Sequence, residues 1–187
     1  MRPQRVLPRH PAVRAWLLCT GLALLLAAPV SAGAGEPTRE DRIKAALVFK
    51  IAKFIEWPPG SIRDRTLTIC THGDSPVATA LAGVDGREVR GFRARYRRLE
   101  ALDDDAARGS QVLYLSRVPG GAPRSQVPAV GHATLTVGDA ERFAARGGMV
   151  GLVSGENRVT FEINLRAARA VGIDIAAPLL ELANVLE

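Results

Sequence analysis

An apolar run from Ala15 to Ala28 divides this chain of 187 residues. It follows four arginines (Arg2, Arg5, Arg9, Arg14) and is closed by Pro29. A spanning helix needs about 20 apolar residues, so the run is too short to cross a bilayer. A basic start, an apolar centre and small residues beyond them form the pattern of a secretory signal peptide. Residues 1–34 are therefore expected to be removed, after Ala32 or after Ala34, since Val30-Ser31-Ala32 and Ala32-Gly33-Ala34 both fit the small-x-small rule. Cys19 follows Leu18 rather than a small residue, which argues against lipid attachment, and should leave with the leader. The folded part is then one domain over residues 35–187, with no further run long enough to span a membrane.

Charge changes its meaning once it is located. The chain carries a formal +6 and a pI near 10.1, which looks like a nucleic-acid binder. Setting aside the four leader arginines, 21 of the 25 basic residues face 19 acids. The body is nearly neutral, so a nucleic-acid partner is not expected. With only three lysines, the Arg- and Ala-rich composition points to a bacterium, and export then means the periplasm. The body retains one cysteine, Cys70, which cannot form an internal disulfide. The fold must rest on its core, and a hydrophobic content of 47% allows one.

The pattern of elements predicts α/β architecture: a largely parallel sheet flanked by helices, with an antiparallel hairpin near the C-terminus. A helix is expected over Thr38–Glu56, capped by Thr38 and ended by Trp57-Pro58-Pro59. Ile43, Leu47, Ile51 and Phe54 form its expected core face, which leaves Phe49 opposite. Leu67–Thr71 reads as a strand, followed by a short helix capped by Ser75 with Pro76 at its first position. The segment after Gly91 alternates, with Phe92, Ala94 and Tyr96 on one side and Arg93, Arg95 and Arg97 on the other. Further strands are expected at Val112–Ser116 and Thr134–Val137, then a helix from Asp139 through Ala145. Strands Met149–Val153 and Arg158–Leu165 flank the turn Gly155-Glu156-Asn157. Two helices, Arg166–Val171 and Pro178–Leu186, finish the chain, the second with Leu179, Leu182, Ala183 and Leu186 on one face.

Few residues carry a chemical signature. Cys70 and His72 share one face of an extended segment, where an imidazole can activate a thiolate. The plainer reading is a buried cysteine beside a turn histidine, because a two-residue spacing has little specificity. A catalytic zinc site takes three protein ligands, and His72, Asp74 and His132 would have to converge to supply them. Arg93, Arg95 and Arg97 can hold an anion or an acidic partner. They can also be a solvated strand face, balanced by Glu100 and Asp103-Asp104-Asp105. No phosphate loop, dinucleotide fingerprint or nucleophile elbow occurs.

The run Lys44–Pro58, with Ala45, Phe49, Phe54 and Trp57 in order, resembles the opening signature of the YfiR family of periplasmic proteins. Leu67-Thr68-Ile69-Cys70 with Gly73-Asp74, Val112–Ser116, Gly147-Gly148-Met149-Val150, Phe161–Leu165 and Leu179–Ala183 extend the resemblance through nearly the whole folded part. It implies a non-enzymatic regulator without cofactor or metal. Such a protein binds the periplasmic sensor domain of an inner-membrane diguanylate cyclase, holds it inactive, and so lowers cyclic di-GMP and biofilm formation. It also implies a homodimer. Phe49, Trp57, Phe161 and Asn164 become candidate partner contacts. Cys70 sits where the family often has a cysteine, but the usual partner position holds Ser110. Lys50 and Ile51 replace polar and aromatic residues common at their places. The alternatives are a ligand-binding or thiol-dependent enzyme centred on Cys70 and His72, or a regulator of another receptor such as a histidine kinase.

Overall fold

The computed structural model describes residues 35–102, 108–116, 133–156 and 158–186. The leader, His132, Asp103-Asp104-Asp105 and Asn157 lie outside them.

Helix α1 (Arg39–Ile51) starts at Thr38 in a full capping box. The Thr38 hydroxyl accepts from the Asp41 N–H at 3.2 Å, and the Asp41 carboxylate accepts from the Thr38 N–H at 2.8 Å. These bonds satisfy donors that a helix start would otherwise leave open. The helix ends earlier than its periodicity predicts. A 3-10 turn (Ala52–Phe54) leads into strand β1 (Ile55–Glu56). This strand pairs antiparallel with β9 (Asp174–Ile175), and the pairing draws Ile55 into extended geometry before Pro58 acts.

The core face of α1 also corrects the sequence expectation. Ala45, Val48, Phe49 and Ala52 are buried at i, i+3, i+4 and i+7; of the expected stripe Ile51 is buried and Leu47 and Phe54 pack at the core's margin, whereas Ile43 is 40% exposed. Both sides of the helix are apolar, so periodicity alone could not choose between them. Lys44 helps fix the rotation. It reaches inward to Asp139 at 3.4 Å and along the helix to Glu40 at 3.0 Å. Phe49 is thus a core residue, with the Arg87 guanidinium 5.0 Å from its ring centre.

The remaining elements build an eight-stranded sheet. They are β2 (Thr66–His72), α2 (Pro76–Ala82), β3 (Glu88–Val89), β4 (Phe92–Leu99), β5 (Val112–Leu115), β6 (Leu135–Gly138), β7 (Val150–Ser154), β8 (Val159–Asn164), α3 (Leu165–Ala170), α4 (Ala177–Leu180) and β10 (Asn184–Leu186). The order is β10-β8-β7-β6-β5-β2-β4-β3. Strand β2 pairs in parallel with β4 and β5, and β5–β6 and β6–β7 continue in parallel. The β7–β8 hairpin is antiparallel, as expected, and β3–β4 adds a second antiparallel pair. Arg90 and Gly91, at φ 48° and 78°, turn the chain between β3 and β4, a geometry glycine adopts without strain.

One sheet face packs on α1 and α2 through Leu67, Ile69, Ala94, Val112, Leu135 and Val137. A smaller cluster on the other face gathers Cys70, Leu99, Leu113, Leu115 and Phe143. Phe143 stands in a run of turns where a helix is expected; Arg142, at φ 55°, interrupts helical geometry there. Gly147, at φ 100°, ends this run, with the Gly148 N–H donating to the Phe143 carbonyl at 3.0 Å.

The C-terminal helix is shorter than its pattern. It stops at Leu180, and Asn184–Leu186 joins β8 in parallel. Satisfying the backbone groups along the open edge of β8 outweighs continuing an amphipathic helix. Leu182, expected on the core face, is 73% exposed, whereas Leu179 is 3% exposed. Leu182→Ser should therefore change unfolding stability by less than about 0.5 kcal/mol. Leu179→Ala should cost about 2–5 kcal/mol. Urea unfolding of the two variants checks this, and equal losses would restore the longer helix.

Candidate functional site

A cleft of about 360 Å³ lies where the end of α1 meets β3 and β4. Ala52, Ile55, Leu67 and Val89 form apolar lining, and Trp57 and Phe92 supply aromatic surface. The chain reaches Trp57 through the 3-10 turn and β1, so the indole stands outside α1 rather than on its face. It is half-buried, and its Nε1 donates to the Gln111 carbonyl at 3.3 Å. The Arg90 guanidinium donates to the carbonyls of Lys53 and Ile55 at 3.4 and 3.3 Å, which satisfies acceptors left at the end of the 3-10 turn. The result is a preformed apolar recess with a polar rim, sized for one or two side chains of a partner.

Gln111 is the joint behind this recess. It is buried, and its side-chain oxygen accepts from the Thr68 N–H at 2.8 Å. Its amide nitrogen donates to the Ser61 carbonyl at 2.7 Å. Its own carbonyl receives both the Leu135 N–H and the Trp57 indole. The Trp57–Ser61 segment is thus tied to β2, β5 and β6 through one residue. Sequence reasoning missed Gln111 and Arg90, because no periodicity or spacing distinguishes a buried glutamine or a carbonyl-capping arginine.

The other expected residues separate. Phe161 is buried and packs in the main core. Asn164 caps α3: its side-chain oxygen accepts from the Ala167 N–H at 2.9 Å, and its amide donates to the Ala144 carbonyl at 3.0 Å. Phe49 is buried in the main core rather than presented at the surface. Of the four candidate contacts, Trp57 lines the cleft. Arg93, Arg95 and Arg97 are exposed on one side of β4, as alternation predicts.

Cys70 and His72 are not bonded to each other. Cys70 is fully buried, and burial pushes its thiol up, against the smaller opposing effects of the Ser110 hydrogen bond and the Arg97 charge. Its Sγ accepts from the Ser110 hydroxyl at 2.8 Å. The His72 Nδ1 lies 3.2 Å from the Leu99 carbonyl instead. Asp74 pairs with Arg98. Among the described residues no three metal-ligating side chains converge. At the carboxyl ends of β2 and β5, where ligands of open α/β sheets bind, the Ser75 and Ser116 hydroxyls bond each other at 2.8 Å.

Comparison with known proteins gives the family. The model of the YfiR/HmsC-like family matches residues 41–184. The chain belongs to that family. It is a family of periplasmic regulators, and the match runs from Asp41 in the first turn of α1 to the first residue of β10. A solved structure, a conserved domain protein from Vibrio cholerae O1 biovar El Tor str. N16961, is similar at 14% identity with a TM-score of 0.45. The similarity covers 79% of this chain and 60% of that one. No curated protein matches. Among the described residues no helix is long and apolar enough to cross a membrane.

The Cys70–Ser110 contact makes the altered cysteine position testable. In Ser110→Cys, oxidation should join residues 70 and 110, seen as a linked peptide by mass spectrometry. Its absence would place the two side chains further apart. In the parent protein, iodoacetamide should modify Cys70 at least ~10-fold more slowly when native than in denaturant. The native rate should stay low as pH rises through ~8.5, where a free thiol ionises. Fast native alkylation would instead revive a reactive thiol.

Proposed function

We propose that this YfiR/HmsC-like protein is a non-enzymatic inhibitor of an inner-membrane diguanylate cyclase, acting on the periplasmic sensor domain of that receptor. The observation that carries this reading is the family match over residues 41–184. In this reading residues 1–34 direct export, residues 35–187 form the working domain, and the protein acts as a homodimer. The Trp57 cleft is the receptor contact. A tryptophan with one polar edge already bonded, beside an apolar recess, offers the large, rigid surface that dominates protein interfaces.

Inhibition requires unequal affinity for two receptor states. A regulator that binds the inactive state about 10⁴-fold better moves a balanced population almost wholly to that state, and equal binding moves nothing. The protein needs no chemistry for this, only a surface complementary to one state. Lower cyclic di-GMP and reduced biofilm formation then follow from the silenced cyclase.

Deleting the gene in its own bacterium should raise cyclic di-GMP, and the exported protein supplied in trans should reverse the rise. Trp57→Ala, exported and folded, should fail to reverse it and should bind the receptor domain at least ~10-fold more weakly, about 1.4 kcal/mol. Unchanged cyclic di-GMP on deletion under several growth conditions would overturn the cyclase reading and direct the search to another receptor, such as a histidine kinase. Full rescue by Trp57→Ala would remove the cleft as the contact.

A further inference from the structure

A larger concavity, about 720 Å³, opens on the sheet face that turns away from α1. Arg63, Arg95, Arg97 and Arg108 line it together with Thr68, and Asp64 is its one carboxylate. The register places Thr68 opposite Arg95 and Cys70 opposite Arg97, so these side chains leave the sheet on the same side. Arg93, from the same stripe, does not line it. This divides a patch that sequence alone presents as uniform.

Three of the four arginines in this pocket lack an internal counterpart. Ion pairs among the described residues use Lys44 and Arg98 as their cations. Arg63, Arg95 and Arg97 make no side-chain hydrogen bond or ion pair. Residues two apart on a strand stand about 6.5 Å apart along it. Two guanidinium groups at that spacing repel each other unless an anion lies between them. The floor adds an independent signal. Thr68 is only 9% exposed, and its hydroxyl, unlike its backbone groups, has no hydrogen-bond partner among the described residues. A hydroxyl at the base of a cationic recess, with donors converging from two strands and a loop, is the arrangement that receives an oxyanion.

We propose that this pocket binds a phosphate-bearing ligand, with Arg95, Arg97 and Arg63 donating to its oxygens and Thr68 closing the base. The guanidinium fork matches phosphate oxygens in pairs, and a pocket of this size admits a phosphate ester or a pyrophosphate group. Free phosphate compounds and lipid headgroups share this chemistry.

Calorimetric titration of the purified protein with inorganic pyrophosphate, and co-sedimentation with phosphatidylglycerol vesicles, test the site and separate its two sources. Replacing Arg95 and Arg97 together by Gln should weaken binding at least ~10-fold in one arm or both. Thr68→Val should weaken it severalfold, although it leaves the charge unchanged. Replacing Arg166 and Arg169 by Gln removes equal charge from exposed positions on α3 and should leave binding within about twofold. Arg63→Gln, which changes one exposed side chain, repeats the test should the double variant misfold. A loss in the pyrophosphate arm assigns a soluble ligand, and a loss confined to vesicles assigns a headgroup. Absence of binding by the parent protein in both arms overturns the proposal. So does an equal loss in the α3 control, which would mean diffuse charge.

Discussion

Strand β2 is paired in parallel on both sides, and this sets what the rest of the chain must do. Parallel strands inside a sheet have to be covered on both faces, because their crossovers pass over them and their side chains point both ways. Ile69 and Cys70, adjacent in sequence, are both fully buried, one on each face. The two faces meet that demand unequally. On one side α1 and α2 lay down Ala45, Val48, Phe49, Val77 and Leu81 over the strands. On the other, Phe143 serves at the end of the sheet near Leu113 and Leu115. It can do so because Gly138 and Gly148 lack a Cβ; one added at either position would collide with its ring. Toward the starts of β2 and β4 the same face turns polar, with Thr66, Thr68 and the β4 arginines. The cationic pocket is therefore a consequence of incomplete apolar cover rather than an addition to a finished fold.

Legibility in the sequence follows the range of the interaction that decides each element. The Thr38 cap, the Ser75-Pro76 entry to α2, the alternation of β4 and the β7–β8 hairpin are decided within a few residues, and each is readable. The rotation of α1 is not, because Lys44 answers to Asp139, ninety-five positions away. The end of the chain fails for the same reason. Leu179, Leu182, Ala183 and Leu186 carry a helical period, but β8 offers a free edge that no local pattern announces. The candidate site divides along this line too. Trp57 is visible as an aromatic at a helix-breaking Trp-Pro-Pro, whereas Gln111 and Arg90 acquire their roles only when distant carbonyls arrive beside them.

The cysteine position shows why a family resemblance has to be read atom by atom. Ser110 stands within hydrogen-bond distance of the Cys70 sulfur, so the backbone brings these two positions together without a covalent link. What a disulfide would add is constraint on the unfolded chain. Here the same proximity contributes a buried hydrogen bond, and the surrounding Leu99, Leu113 and Phe143 supply cover. A buried thiol raised by desolvation and held by a hydroxyl is chemically quiet. Such a thiol lacks the thiolate character and access that a nucleophilic cysteine needs.

The apolar cleft and the cationic pocket share a wall. Gly60 lines both, and the Ser61 carbonyl beside it is held by the Gln111 amide. Trp57 and Thr68 are bonded to the same glutamine, one through its backbone carbonyl and the other through its side chain. A displacement of Thr68 or of the Ser61 loop thus acts on Gln111, whose amide oxygen and nitrogen are both hydrogen-bonded. Breaking one leaves a buried donor or acceptor unpaired, at a cost of about 1–3 kcal/mol. The two concavities are joined through a buried residue that the sequence gives no reason to notice.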